Sequence, residues 1–362
     1  MERVLRLMSE KAASDVYLSA SSPILIKING QLLQLSDQPL THAQPRQLLA
    51  ELLTPTQLEE LDDTGELNVG VSLPGIGSFR LSGFKQRGTI AAVFRCIPFV
   101  IPTLESLNVP TVLNTMILEK RGLILMVGAT GAGKSTTLAA MLEQRNQQLA
   151  GHILTIEDPI EFLHEDKRAI VCQREIGQDA PSYHVALRAA MRQDPDVIMV
   201  GEVRDEETAM TALRAAETGH LVVCTMHTID AADTIQRFVD FFGEQRGPLA
   251  RQMLAGTLVG VCSQRLIPAV KGGMALNAEV LINTSRVQDL IVEGMSTSEV
   301  HKAIKEGDFY GMQSFDQSLL ELVKDGSVSQ EDALSYSSEP NDFRLSLQTV
   351  GAAGQYAGVT GA

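Results

Sequence analysis

The spacing of apolar residues changes near residue 100, which indicates two regions of different architecture. In the first region, residues 1–99, short runs of alternating apolar and polar residues are separated by Gly, Pro and Ser. This pattern is typical of half-buried strands and short amphipathic helices. It predicts an α+β domain with helices at 4–8, 45–53 and 55–61, strands at 15–19, 24–28, 69–73, 78–84 and 89–94, and a hairpin turn at Asn29-Gly30.

Beyond residue 122, near-continuous apolar runs alternate with helical patterns. The runs cover residues 123–127, 153–156, 197–200 and 221–225. Strands that are apolar on both faces and separated by helices predict a parallel sheet that is covered on both sides. From Gly247 to about Leu347 the periodicity predicts mostly helix.

Three prolines mark a boundary between the two regions. Pro98, Pro102 and Pro110 lack the backbone donor that regular structure needs, so a linker is predicted at residues 100–110. The second domain is then residues 111–345, with a helical C-terminal part. Residues 346–362 carry little apolar bulk and are predicted to be a disordered tail.

The strongest chemical signal is a glycine-rich segment between an apolar strand and a helical run. It matches the P-loop pattern G-x-x-x-x-G-K-[ST] at every required position. The predicted ATP-binding residues are Gly128, Ala129, Thr130, Gly131, Ala132, Gly133, Lys134, Ser135 and Thr136. The glycines let backbone N–H groups curl around phosphate oxygens, and the helix presents its positive end to the same anion. Lys134 would reach the β- and γ-phosphates and the Ser135 hydroxyl would hold Mg²⁺.

Two further acidic segments follow apolar strands, at residues 156–161 and 194–202. Hydrolysis needs one acid near Mg²⁺ and one group that orients or deprotonates the attacking water, and the candidates are Glu202 and Glu161. Taken alone, an exposed glutamate is more often a solvated surface charge. His220 and His227 bracket one strand, and either could sense the γ-phosphate, although a lone histidine is usually a structural hydrogen-bonder.

A predicted hairpin in the first region places two arginines together. If Arg87-Gly88 forms a two-residue turn, Arg80 and Arg95 stand opposite each other and project from the same face. Because like charges destabilise a strand pair, an anion between them is one explanation. The other is that each arginine pairs with a nearby carboxylate.

Composition restricts the remaining function classes. The net charge of −14 disfavours nucleic acid as a partner, because phosphate neutralisation drives most of that affinity, although a local basic groove stays open. The four cysteines show no ligand spacing, so no zinc site is predicted. No apolar run reaches 18 residues and the start lacks the apolar core of a signal peptide. We therefore expect a cytoplasmic protein without direct membrane insertion, which reaches the inner face of the membrane through partners.

The motifs together resemble those of secretion ATPases. Residues 152–162 resemble the family's Asp box, residues 216–221 and 225–228 resemble its His box, and both stand in family order with the Walker motifs. The chain is similar to the PilT/PilU family of type IV pilus retraction ATPases. The resemblance implies a RecA-like P-loop core with a smaller PAS-like N-terminal domain, a homohexamer, and ATP hydrolysis coupled to an inner-membrane platform protein. It further implies Glu161 as catalytic carboxylate, Glu202 as Walker B acid, His220 and His227 as the His box, and Arg80 and Arg95 as arginine fingers.

The branch within the family is predicted from smaller features. Assembly and secretion ATPases usually carry an additional N-terminal domain and a four-cysteine zinc insert, and neither is found in this sequence. Residues 174–177, 263–268 and 311–317 look more like PilU, and residues 286–291 depart from the AIRNLI motif of PilT proteins. This departure favours an accessory motor with a PilT-like ATPase as partner. An accessory ring that acts mainly by binding, and an assembly or secretion ATPase, are the alternatives.

Overall fold

The computed structural model describes residues 1–357 apart from Ala12, Asn29, Pro98, Phe99 and Met295, and it divides into two compact units. The first unit comprises residues 1–100 together with the segments 158–164 and 175–179. The second comprises residues 101–157, 165–174 and 180–362. Two short segments of the region predicted as nucleotide domain therefore belong to the first unit.

The first unit is built on a six-stranded antiparallel sheet in the order β3-β2-β1-β6-β5-β4. Period-two alternation buries Phe79, Leu81 and Phe94 against the apolar face of the first helix, where Leu5 and Met8 are also buried. The elements are α1 (Glu2–Glu10), β1 (Asp15–Leu18), β2 (Leu25–Ile28), β3 (Gln31–Gln34), α2 (Gln44–Ala50), α3 (Pro55–Thr64), β4 (Glu66–Leu73), β5 (Gly77–Gln86) and β6 (Thr89–Ile97).

The turns of the first unit follow the sequence signals. Arg87 and Gly88 both have positive φ, at 47° and 75°, between the paired residues Gln86 and Thr89. This is the two-residue hairpin turn that the sequence predicts. The predicted turn at Asn29-Gly30 includes Asn29, which lies outside the described residues.

The second unit contains a seven-stranded sheet in the order β13-β12-β7-β11-β10-β8-β9. The neighbours β12-β7, β7-β11, β11-β10 and β10-β8 are parallel, and every residue of β7, β10 and β11 is buried, which confirms the predicted parallel sheet. The elements are α4 (Leu113–Met116), β7 (Gly122–Val127), α5 (Lys134–Gln148), β8 (Gly151–Glu157), β9 (Ala169–Glu175), α6 (Tyr183–Ala190), β10 (Val197–Val200), α7 (Glu206–Glu217), β11 (Leu221–Met226), α8 (Ala231–Asp240), α9 (Gly243–Thr257), β12 (Leu258–Pro268), β13 (Met274–Ile282), α10 (Ser285–Glu293), α11 (Thr297–Lys305), α12 (Phe315–Lys324), α13 (Gln330–Tyr336) and α14 (Pro340–Ala357).

The region predicted as mostly helical from Gly247 onward also contains a long hairpin. Strands β12 and β13 pair antiparallel across the turn at Gly272-Gly273, and β12 joins the parallel sheet beside β7. The polar residues Ser263, Gln264 and Glu279 are buried within these strands and break the apolar alternation that marks a strand in sequence.

The predicted linker and tail also differ from the structure. Leu104 and Val109 lie within residues 100–110 yet are buried in the core of the second unit, because their apolar side chains have more to gain there than in water. Helix α14 continues from Pro340 to Ala357 through most of the predicted disordered tail. Phe343 anchors it in a small apolar cluster, and the absence of proline after Pro340 lets the helix propagate. Within the described residues, no helix is both long and apolar enough to cross a bilayer.

Candidate active site

The glycine-rich loop connects the carboxyl end of β7 to the first residue of α5. Gly128, Gly131 and Gly133 have φ of 142°, 80° and 88°, in the region that favours glycine. A Cβ on Gly128 would collide with the carbonyl oxygen of Gln264. The loop therefore needs glycine at Gly128 both for its backbone conformation and for its close approach to the neighbouring strand.

The Lys134 side chain lies inside the loop and bonds to its backbone. It is buried, and Nζ donates to the carbonyl oxygens of Gly128 at 2.7 Å and Ala129 at 2.9 Å. Ser135 and Thr136 are half-buried at the start of α5. A 15-residue helix that begins at this loop brings its positive end and its unpaired N–H groups to the same place. The arrangement is that of an anion site.

Gln264 is a supporting residue that the sequence reasoning did not identify. Its Nε2 donates to Thr137 Oγ1 at 2.8 Å, and both side chains are buried. This bond ties α5 to β12 directly behind the loop. The pattern Ser263–Pro268 carried a signal, since a glutamine inside an apolar run is costly to bury without a partner.

Strand register brings three predicted residues to one edge of the sheet. Val127 is paired with Met226, and Val200 is paired with Cys224. The residues just beyond these strands, Gly128, Glu202 and His227, therefore emerge at the same carboxyl edge, where ligands bind in open α/β sheets.

The Glu202 carboxylate is held from two sides. Arg204 Nη2 contacts its Oε2 at 2.6 Å, and His227 Nε2 lies 3.6 Å from its Oε1. The side chain of Glu202 is only 16% exposed. The sequence reasoning missed Arg204, which follows Glu202 by two residues. Its contact with the Glu202 carboxylate is shorter than that of His227.

The structure places His220 at the opposite end of β11 from this edge, and its predicted role as a γ-phosphate sensor stays a prediction. It precedes β11, and its carbonyl accepts from Gly122 N at 3.0 Å, at the opposite end of the strand from His227. Six residues of extended strand separate the two histidines, about 20 Å. His220 Nδ1 instead lies 3.0 Å from the Ala215 carbonyl oxygen, a structural contact at the end of α7.

The acidic residues at the end of β8 and just after it belong to different units. Glu157, the last residue of β8, is buried and accepts from Thr155 Oγ1 at 2.7 Å and Gln173 Nε2 at 3.1 Å. Glu161 lies in the segment 158–164 of the first unit and is exposed. Its catalytic role stays a prediction.

The register of the hairpin confirms that Arg80 and Arg95 stand opposite each other on β5 and β6. Arg95 Nε donates to Asp15 Oδ1 at 2.9 Å, so the alternative of a nearby carboxylate partner holds for Arg95. Arg80 is exposed and makes no ion pair with any residue of the described chain.

A cavity of about 640 Å³ adjoins the loop, and this volume lies within the range of about 300–1,000 Å³ that is typical of small-molecule sites. Gly133, Thr136 and Thr137 line one side of it. Residues 106–111 and the apolar side chains of Leu266 and Leu276 line the others. The cavity therefore offers apolar walls directly beside the anion site.

No group of three or more His, Cys, Asp and Glu side chains in the described residues could hold a metal ion. The Ser135 hydroxyl and the Glu202 carboxylate nevertheless fit Mg²⁺, which prefers one or two oxygen ligands from protein together with substrate phosphates. Burial raises the pKa of the Cys262 thiol to about 12 and also raises that of Cys224, so both are poor metal ligands.

Comparison with known proteins gives a consistent result. Residues 103–344 match the family model of the type II/IV secretion system protein. The type IV pilus ATPase PilU of Pseudomonas aeruginosa is 42% identical over 96% of this chain and 91% of its own length. The pilus retraction ATPase PilT of the same organism is 41% identical over 94% of this chain and 98% of its own length.

A crystal structure of the retraction motor PilT with bound ADP superposes with a TM-score of 0.86 at 40% identity, covering 94% of this chain and 98% of that one. The likeness extends through both units, and the identities to PilU and PilT are nearly equal. The preference for PilU therefore still rests on the sequence features alone. The chain belongs to the type II/IV secretion system family and, within it, to the PilT/PilU family of type IV pilus ATPases.

Proposed function

We propose that this protein is the subunit of a hexameric motor that hydrolyses ATP to power or assist retraction of type IV pili. The observation that carries the proposal is the complete P-loop, with Lys134 buried inside it, in a chain similar to PilU and PilT over more than nine-tenths of its length. The net charge of −14 argues against a nucleic-acid translocase.

In the proposed reaction, the N–H groups of Gly131 to Ser135 and the Lys134 ammonium bind the β- and γ-phosphates. The cavity beside Gly133 and Thr136 receives the nucleoside. Ser135 and Glu202 would hold Mg²⁺, which would supply positive charge to neutralise the phosphates. Arg204 and His227 orient the Glu202 carboxylate through the contacts described above.

Glu161 is proposed as the general base. It takes a proton from the attacking water as the water oxygen bonds to the γ-phosphorus and the bond from that phosphorus to the bridging oxygen breaks. Arg80 and Arg95 supply positive charge to the phosphates. A ring of six copies working on an inner-membrane platform protein, beside a PilT-like ATPase, completes the proposal.

The chemical test uses purified rings. Lys134→Ala is expected to abolish hydrolysis, because the charge that binds the phosphates is lost. Glu161→Gln is expected to retain nucleotide affinity and lose turnover, because an amide keeps the shape but cannot accept the proton. Glu165→Gln, an exposed glutamate in the same stretch of chain, is the matched control and should be fully active. Normal turnover of Glu161→Gln would refute its assignment as the base.

The cellular test separates the branches of the family. A deletion strain is expected to keep surface pili and to lose twitching or retraction force. Loss of surface pili would instead indicate an assembly ATPase. Retraction that is normal in the deletion strain and fails only when a PilT-like ATPase is also weakened would support the accessory role.

A further inference from the structure

A row of charged side chains crosses the sheet of the first unit. The strand register pairs Arg80 with Arg95, Arg95 with Asp15, and Asp15 with Lys27. Directly paired residues project from the same face, so these four side chains lie side by side on β5, β6, β1 and β2. The row holds three cations and one anion in a chain whose net charge is −14. Its charge is therefore opposite to that of the protein as a whole.

Asp15 differs from the other members of the row in its burial. Its side chain is 4% exposed, whereas that of Arg95 is 68% exposed. A carboxylate taken out of water is costly unless it is paired, and the pairing here is the 2.9 Å bond from Arg95 Nε. The buried Asp15 carboxylate thus fixes Nε of the guanidinium, and the terminal nitrogens point toward solvent.

Arg95 bonds to Asp15 through Nε and not through a terminal nitrogen. A guanidinium has five N–H donors, and Nε supplies only one of them. The bond to Asp15 Oδ1 uses that donor, so the four N–H groups of the two terminal nitrogens remain oriented as a fork. Such a fork binds phosphate in a bidentate manner. Arg80, exposed and directly opposite, adds a second guanidinium to the same place.

We propose that Asp15 is a positioning residue, which holds Arg95 through Nε so that its terminal nitrogens and Arg80 together bind a phosphate group of the nucleotide. The proposal rests on the function proposed above and adds a residue that none of the motifs contains. Asp15 neutralises one of two adjacent like charges and fixes the direction of that guanidinium before the anion arrives. Pre-orientation of this kind lowers the entropy cost of binding a transition state.

The experiment compares Asp15→Asn with Asp62→Asn in intact rings, with assembly checked by size and folding by thermal unfolding. Asp62 is the matched control because it is another carboxylate of the first unit that accepts from an arginine, Arg46, at 3.1 Å. Asp15→Asn is expected to lower kcat by about 10- to 100-fold with little change in the KM for ATP, since geometry needed in the transition state is lost. Asp62→Asn should leave both constants unchanged.

A double variant tests whether Asp15 acts through Arg95. In an Arg95→Ala background, Asp15→Asn is expected to have no further effect on kcat, because the group it positions is gone. Additive losses would overturn the proposal. So would full activity of Asp15→Asn when Arg95→Ala is slow, a result that leaves the role of the arginines intact.

A different result would refute the proposed role of the two arginines themselves. Full activity of both Arg80→Ala and Arg95→Ala would remove the arginines from catalysis altogether. If Asp15→Asn does not assemble, Asp15→Ser is measured in the same way, and failure of both variants to assemble would overturn the positioning role in favour of a structural one.

Discussion

Replacing Glu279 by glutamine should stabilise the second unit at alkaline pH and leave its stability almost unchanged at acidic pH. Glu279 lies on β13 with its side chain 3% exposed. Its Oε1 accepts from Ala231 N at 2.8 Å and from Ser263 Oγ at 3.4 Å, and its Oε2 lies 3.9 Å from His301 Nδ1. Burial raises the pKa of this carboxyl from 4.5 to about 7; the hydrogen bond from Ala231 and the charge of Arg265 oppose this shift, and the charge of Asp230 reinforces it.

The size and sign of the effect follow from this pKa. At about 1.4 kcal/mol per pH unit, ionising Glu279 in the folded protein costs about 3 kcal/mol more than in the unfolded chain. Between pH 4.5 and 7 the folded state binds more protons than the unfolded state. The stability that protonated Glu279 contributes therefore falls as pH rises and is fully lost above pH 7. Glutamine keeps the acceptor oxygen and carries no charge, so Glu279→Gln should gain up to about 3 kcal/mol at pH 8 and close to none at pH 4.5.

Thermal unfolding at several pH values measures the difference. For a unit of this size, roughly 2 °C per kcal/mol gives a midpoint about 6 °C higher for Glu279→Gln at pH 8. The control is Glu306→Gln, since Glu306 is exposed and the hydrogen bond from Arg286 holds its pKa below the usual value. That variant should show no alkaline gain. An increase for Glu279→Gln that is the same at pH 5 and pH 8 would refute the reasoning, because only a pH-dependent gain can come from ionisation.

Three further predictions concern the loop and the metal content. Gly128→Ala should prevent nucleotide binding, because its Cβ meets the Gln264 carbonyl. Gly131→Ala has open space around its Cβ and should lower the free energy of unfolding by only about 1 kcal/mol. Equal losses of unfolding free energy in the two variants would contradict this reasoning. Gln264→Leu leaves the buried Thr137 hydroxyl without its donor and should lower stability by about 1–3 kcal/mol, so an unchanged unfolding midpoint would count against it. Elemental analysis should find no structural zinc, and about one zinc per chain would reopen the assembly-ATPase alternative.

The fold of the first unit was largely predictable because its signals are local. Alternation of period two fixes which residues face the core, and the Arg87-Gly88 turn fixes the register of the hairpin. That register was enough to place Arg80 opposite Arg95. Asp15 could not be added to the pair from the sequence, because it lies on β1, and the pairing of β1 with β6 is a contact between strands about 80 residues apart.

The second unit shows where local reasoning fails. The hairpin of β12 and β13 buries Ser263, Gln264 and Glu279. Ser263 donates to Glu279 within the hairpin, whereas Gln264 donates to Thr137 on α5 and Glu279 accepts from Ala231 at the start of α8. In isolation, such polar residues remove the alternation that identifies a strand. The turn at Gly272-Gly273 was a usable signal for a hairpin, since both glycines have positive φ.

The two histidines show how strand direction decides which residues can share a site. In a parallel sheet every strand runs the same way, so residues that follow the strands meet at one edge and residues that precede them meet at the other. The P-loop follows β7, Glu202 follows β10 and His227 follows β11, whereas His220 precedes β11. Once a parallel sheet is predicted, the sequence alone is therefore enough to favour His227 over His220 as a neighbour of the phosphate loop. The same reasoning favours Glu157, the last residue of β8, as a member of that edge, and its buried bonds to Thr155 and Gln173 give it a fixed position there.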